Sequence, residues 1–270
     1  MTADTATSPA RVRRPMPARV LATRKLTPRL VRITLTGAEL DTFGYDGPDH
    51  LVRVFLPPEP GAELRLPDGA DSWWPAVQAM PAEVRPIVRN YTVRRLDEAR
   101  REMDIDFVLH GDTGPGSSWA ASAAVGDQIG VLSDGAEYAP PPDTVWQLLI
   151  GDETALPAIA ATVEALPSRI PAVVLLEVGD ATDEMPIALP DGARLTWLHR
   201  GAEAAGRSDI ALRTLRGSEL PVGTPYAFVA GESSMVTSVR RHLVQDRGMA
   251  KERVYFCGYW RAAPAPSITS

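Results

Sequence analysis

In Leu30-Val31-Arg32-Ile33-Thr34-Leu35-Thr36, apolar Val31, Ile33 and Leu35 alternate with Arg32, Thr34 and Thr36. That two-residue period marks a strand with one face buried. Short runs of the same kind occur at His50 to Leu56, Arg89 to Val93, Ile105 to His110 and Gln128 to Leu132, with Gly and Pro between them. Short strands, frequent turns and little helix predict an antiparallel β-barrel over residues 17–139. Ala139-Pro140-Pro141-Pro142-Asp143 then interrupts the pattern and reads as a linker, because Pro fixes φ and has no amide hydrogen. Beyond it, over 143–261, continuous apolar strands alternate with helical periods. Strands are predicted at Val145 to Ile150, Ala172 to Val178, Arg194 to Leu198, Tyr226 to Ala230 and Val254 to Cys257. A helix is predicted from Thr154 to Leu166, with Thr154 as N-cap and Leu156, Ile159, Val163 and Leu166 on one face. A second runs from about Ser234 to Arg247, stopped by Gly248. Alternating β and α units predict a parallel sheet with helices on both faces. Residues 1–16 and 262–270 read as tails, and the chain has no internal repeat.

Composition narrows the partners. A chain of 270 residues suits one large domain or two ordinary ones. A net charge of −6 argues against nucleic acid, which calls for a basic field. The single cysteine, Cys257, excludes an intramolecular disulfide and any four-cysteine metal site, and the four histidines form no HExxH pair. No apolar run reaches the ~18 residues of a membrane span. Arg13-Arg14 is followed by Pro15 and Pro17 rather than by an apolar stretch, so no export signal is expected. A cytoplasmic location is therefore expected, and the glycosylation sequon Asn90-Tyr91-Thr92 reads as accidental.

Five segments carry candidate chemistry. Arg89 and Tyr91, two apart on a strand, share a face and pair a guanidinium with an aromatic plate. That suits a ligand with phosphates at one end and a flat ring at the other, although a snorkelling Arg beside a packed Tyr is the simpler account of these two residues alone. From Asp106 to Ala120 a strand runs through His110-Gly111-Asp112-Thr113-Gly114-Pro115-Gly116-Ser117-Ser118 into a helix start. This is either a phosphate loop or a capped helix, and it matches neither GxGxxG nor GxxxxGK[ST]. Gly151-Asp152-Glu153-Thr154-Ala155-Leu156-Pro157 opens the first helix of the second half, at the crevice position of an open parallel sheet. Plain helix capping accounts for its acids equally well. Ala230-Gly231-Glu232-Ser233-Ser234 is another strand-to-helix turn, and Gly258-Tyr259-Trp260-Arg261 ends the last strand.

Together and in this order, these segments closely resemble the siderophore-interacting protein family of flavin-dependent ferric-siderophore reductases, part of the ferredoxin-reductase-like superfamily. The resemblance spans about residues 18 to 261, and the run from Gly151 to Ala158 is its most specific part. It implies an N-terminal FAD-binding barrel followed by a parallel-sheet domain for NADPH or NADH. Arg89 would hold the pyrophosphate, with Tyr91, Thr92 and Val93 along the flavin and Asp106 and His110 as further contacts. Gly114, Gly116, Ser117 and Ser118 would cradle phosphates, Gly116 replacing the family's usual alanine as a mild change. Asp152, Glu153, Thr154 and Ala155 would line the flavin–nicotinamide junction, Gly231 and Glu232 the nucleotide side, and Trp260 would lie near the flavin.

The implied substrate is a ferric siderophore, with Arg53 (where the family has lysine), His50 and Arg261 as candidate contacts. Iron held by hard oxygen donors is released when Fe(III) becomes Fe(II), so neither a metal site nor an acid–base pair is needed. For the extra phosphate of NADPH, Arg200, Arg207, Arg240 and Arg241 are available. The alternatives are a siderophore-binding flavoprotein reduced by an external donor such as ferredoxin, and a flavin or NAD(P)H reductase for another acceptor. A monomer is expected. The Pro-rich stretch from Pro57 to Pro86 shows no clear secondary structure and reads as a cover over one barrel end, or else as a wall of the substrate pocket.

Overall fold

Six strands bring their alternating apolar positions to one interior: β1 (Met16–Thr27), β2 (Leu30–Thr36), β3 (Leu51–Leu56), β4 (Ile87–Asp97), β5 (Glu102–Val108) and β6 (Gln128–Gly135). The computed structural model describes residues 14–68, 73–109 and 114–263. The strands pair antiparallel in the order β1-β2-β5-β4-β3-β6, and β6 pairs back onto β1, closing a barrel. Closure removes the open edges that a sheet of this size would expose. Ile33, Leu35, Val54, Ile105, Phe107 and Ile129 are among the side chains that fill it. The longest strand, β1, has a mixed polar pattern that the alternation test does not single out, and it begins at Met16, inside the expected tail. Of the other expected tail positions, 14–15 and 262–263 are described, with Arg14 paired to Glu39 and the Ala262 amide donating to Glu232 Oε1 at 3.1 Å, and 1–13 and 264–270 lie outside the described residues.

The Pro-rich stretch departs from expectation by forming a helix, α1 (Trp73–Ala79). Val77 and Trp73 pack on Phe55 and Leu132, on the outside of the barrel. Phe55 and Leu132 are apolar at outward positions because α1 covers them. A second helix, α2 (Pro115–Ser122), follows β5, with Gly114 at its N-cap and Pro115 in its first turn.

The second half contains β7 (Trp146–Gly151), α3 (Leu156–Glu164), β8 (Ala172–Val178), β9 (Ala193–His199), α4 (Ile210–Gly217), β10 (Pro225–Glu232), α5 (Ser233–Arg241) and β11 (Val254–Trp260). All pairs are parallel, in the order β11-β10-β7-β8-β9. Strand β7 shows why its run is continuously apolar. Leu149 faces α3, while Leu148 and Ile150 face α4 and α5. The structure adds α4, and the helix predicted to Arg247 breaks at Arg241 into a π-helical turn over His242–Asp246.

The N-cap of α3 is Ala155, not Thr154. The Asp152 side chain accepts from the Thr154 amide at 2.9 Å, holding a tight turn before the helix begins. Helix α3 also meets the barrel: Leu30 joins its core, with Leu26, Val108 and Tyr138 beside it. Arg94 of β4 donates to both carboxylate oxygens of Glu164 at 2.7 Å.

At Gly151 an added Cβ would lie 2.7 Å from Ala155 Cβ and from Ile159 Cδ1, and 2.9 Å from the Ala230 oxygen. Gly151→Ala is therefore expected to cost ~1–3 kcal/mol through overpacking. Gly217→Ala, with open space around the position, should be neutral or stabilising by up to ~1 kcal/mol. Thermal melts of the two variants check this contrast.

Candidate functional site

The carboxyl end of β11 and the turn after β7 face β3, β4 and β5 of the barrel across a pocket of about 260 Å³. Its wall includes Arg89, Asn90, Tyr91 and Thr92 from the barrel, and Thr154, Pro157, Tyr255, Cys257, Tyr259 and Trp260 from the sheet side. Arg89 is exposed there. It donates to the Val88 oxygen at 2.8 Å and makes no ion pair among the described residues. Tyr91 packs on Phe107, ring centroids 4.2 Å apart, and burial pushes its hydroxyl above the usual phenol range. Thr92 is buried, and desolvation pushes the Tyr259 hydroxyl above the usual phenol range. Tyr255, Cys257 and Tyr259 belong to the pocket although the sequence reading passed over two of them. Their two-residue spacing on the last strand is the signal that would have found them.

Several expected contacts turn inward instead. Val93 is fully buried in the barrel core, and its amide donates to the His50 oxygen at 2.9 Å. Asp106 borders the pocket, but Arg32 occupies both its carboxylate oxygens at 2.6 and 2.8 Å. It anchors Arg32 across β2 and β5. Ala155 is fully buried beneath Gly151. Glu232 is buried and caps α5, accepting from the Ser234 and Met235 amides at 2.5 and 3.0 Å. Gly231 sits at φ +135°, where a Cβ would strike the Asp152 carboxylate.

Asp152, only 5% exposed, does not reach the pocket. It takes four donors: the Thr154 amide and hydroxyl on one oxygen, and the Glu232 amide and Trp260 indole on the other.

The start of α2 lies against the pocket residue Tyr91 and lines a second cavity of about 610 Å³. That cavity is lined by Pro115, Ser118 and Trp119, by Arg19, and by the segment from Pro57 to Glu63. The Pro-rich stretch thus covers the barrel flank with α1 and walls this cavity with its first residues. Ser117 is buried, and Gly114 opens the helix. At Gly116 an added Cβ would come 2.2 Å from the Tyr91 hydroxyl, so alanine there would have to displace the end of that side chain. His110 lies outside the described residues.

The substrate candidates also change. His50 is fully buried. Its Nδ1 accepts from the Asp46 amide at 3.0 Å and its Nε2 bonds Ser133 Oγ at 2.9 Å, so it braces the barrel. Arg53 is paired with Asp134, donates to Asn90 Oδ1 at 3.1 Å and lies 4.9 Å from the Trp73 ring centroid, so its charge is already spent within the protein. Arg261 remains exposed. Among the nucleotide candidates, Arg200 forms a two-pronged pair with Glu153 at 2.7 and 2.8 Å, Arg207 donates to the Ala263 oxygen, and Arg240 lies over Phe256. Arg241 is exposed.

The residues fit a flavin dinucleotide on the evidence of the cavities themselves. An aromatic-walled pocket carries at its edge a guanidinium with no acidic partner among the described residues, and a larger cavity lies against a helix start nearby. A closed antiparallel barrel joined to a five-stranded parallel sheet is also the fold of a ferredoxin NADP+ reductase from Neisseria gonorrhoeae, which superposes with a TM-score of 0.60 at 15% identity, covering 92% of this chain and 99% of that one. Family models agree with both halves: residues 19–138 match the siderophore-interacting FAD-binding domain, and 144–263 match siderophore-interacting protein. The chain is 34% identical over 236 residues to the ferric vibriobactin reductase ViuB of Vibrio cholerae, covering 86% of this chain and 84% of that one. It is 30% identical over 248 residues to the NADPH-dependent ferric-chelate reductase of Escherichia coli, covering 90% and 91%. A siderophore utilization protein from T. fusca superposes with a TM-score of 0.84 at 36% identity, covering 94% and 95%. The chain belongs to the siderophore-interacting protein family.

Beside the Glu153–Arg200 pair, Glu177, the residue before the end of β8, is only 3% exposed. Burial raises its carboxyl to about 7, and nearby Arg200 offsets only part of that rise. A carboxyl whose folded pKa lies above its unfolded value destabilises the fold when ionised. The loss is absent below about pH 4.5 and complete above about pH 7. Glu177→Gln should therefore raise the melting temperature at pH 8, by a free energy of at most about 3 kcal/mol, and leave it unchanged at pH 4. Melts of both proteins across that range check the sign.

Proposed function

We propose that this protein is a flavin-dependent reductase of ferric siderophores, taking electrons from NADPH or NADH and releasing iron as Fe(II). The observation that carries the reading is the pocket shared by β4 and β11, where Arg89 and the aromatic wall meet from separate halves of the chain. Bound FAD supplies the relay between a two-electron nicotinamide donor and a one-electron ferric acceptor. The chain's own part is to hold and enclose. Arg89 would grip the dinucleotide's phosphates, Tyr91 and Trp260 would flank the flat ring, and Thr92 and Thr154 would offer hydroxyls at its edge. Ser117 and Ser118 would serve the phosphates from the α2 side, with Gly114 and Gly116 allowing a close approach. The names of the Vibrio cholerae and Escherichia coli relatives support ferric substrates and NADPH.

No helix among the described residues is long and apolar enough to cross a membrane, which fits action in the cytoplasm.

An external donor such as ferredoxin is a second reading. Its support is that Arg200 and Arg207 already bond within the protein, which leaves fewer ready partners for an NADPH phosphate.

Purified protein loaded with FAD, mixed anaerobically with NADPH or NADH, is expected to lose its flavin colour. Ferric siderophore added with a ferrous chelator should then restore the colour as the chelate appears. Bleaching without chelate would refute iron reduction, and no bleaching with either nucleotide would favour the external donor. Arg89→Ala should weaken FAD binding at least roughly tenfold, since charge-assisted hydrogen bonds are worth ~1.5–3 kcal/mol each. Unchanged affinity in a fluorescence titration would remove Arg89 from this role.

A further inference from the structure

Two residues of the pocket wall, Thr154 and Trp260, come from distant parts of the chain and are held by the same buried group. Asp152 Oδ1 accepts from the Thr154 amide at 2.9 Å and hydroxyl at 2.5 Å. Asp152 Oδ2 accepts from the Trp260 indole Nε1 at 2.8 Å and the Glu232 amide at 2.7 Å. One carboxylate thus ties together the ends of β7, β10 and β11, and with four donors its acceptor capacity is well used.

The surrounding backbone is shaped to admit it. Gly231, at φ +135°, leaves no room for a Cβ, which would come 2.7 Å from Asp152 Cγ. On the far side Gly206, at φ +72°, backs the Trp260 ring so closely that a Cβ would lie 2.9 Å from Cη2. The ring is therefore wedged by Gly206 and tethered by Asp152, while its exposed part forms pocket wall.

We propose that Asp152 is a positioning residue, which sets the Thr154 hydroxyl and the Trp260 indole in the pocket wall from behind without touching the ligand. The claim about ligand binding rests on the reading of the pocket as a flavin site; the claim about Trp260 does not. The near-isosteric Asp152→Asn tests both. Asparagine presents one acceptor oxygen and an NH2 group where four donors converge, so the NH2 must face N–H donors or a hydroxyl that has lost its acceptor. If the oxygen stays with Thr154, Trp260 and the Glu232 amide lose their partner.

The readout is the set of indole N–H resonances of the ¹⁵N-labelled full chain, which has six tryptophans, with the Trp260 line assigned through Trp260→Phe. In the unsubstituted protein the Trp260 N–H should exchange with solvent at least roughly tenfold more slowly than that of half-exposed Trp74. In Asp152→Asn the Trp260 line should move and its protection should fall, while the other five lines hold. FAD affinity should drop at least roughly tenfold.

Exchange of the Trp260 N–H as fast as that of Trp74 in the unsubstituted protein would overturn the proposal, and that measurement stands even if the variant does not fold. A variant with a lower melting temperature but an unmoved Trp260 line would also overturn it, because Asp152 would then be structural only. An unsubstituted chain that takes up no FAD would defeat the flavin reading and leave the Trp260 result to decide the role of Asp152.

Discussion

A pocket walled by two separately cored sheets keeps its shape only if the sheets cannot slide, and here helix α3 prevents it. One side of α3 belongs to the core of the parallel sheet, which also takes in Leu30 from the barrel and packs against Leu26, Val108 and Tyr138. Its last residue, Glu164, accepts at both carboxylate oxygens from one guanidinium nitrogen of a barrel arginine, Arg94. Arg29, in the turn between β1 and β2, reaches Asp183 after β8 and adds a second charged tie. Apolar burial supplies the non-directional part of this junction, and the two charged ties fix its register. The distance between β4 and β11, and so the width of the pocket, follows from that packing.

The site is rigid for a related reason: the acids that look available in the sequence are committed within the protein. Asp106 fixes Arg32, Glu232 caps α5, Glu153 neutralises Arg200, and Asp152 gathers four donors. A buried carboxylate without such partners would be costly. These side chains shape the pocket from its outer layer, and direct contact with a ligand falls to aromatic faces, hydroxyls and Arg89. That division suits chemistry supplied by a cofactor, where the protein's task is placement.

The two architectures could be read in the sequence because each carries a distinct period: two residues in β2 and β5, and continuous apolar runs in β7 and β8. The boundaries of β2 and β8 coincide with the predicted strands, whereas β1 is too polar for its alternation to stand out. Helix α1 was hidden because prolines surround it and its apolar contacts are to outward-facing barrel residues. At the site, Arg89, Tyr91, Thr92, Thr154 and Trp260 line the pocket. The expected contacts that turn inward share one physical cause. Sequence identifies a polar residue near a strand end, but not whether its partner is a ligand or a distant part of the same chain. His50 and Ser133 are 83 positions apart, and Asp152 and Trp260 are 108 apart.

The central claim is that one ligand bridges the barrel and the sheet. Hydrogen–deuterium exchange of the apoprotein with and without saturating FAD tests it most directly. The account predicts that protection rises together in Ile87–Asp97 of the barrel and Val254–Trp260 of the sheet. Protection confined to one of these strands, or unchanged in both, would contradict it.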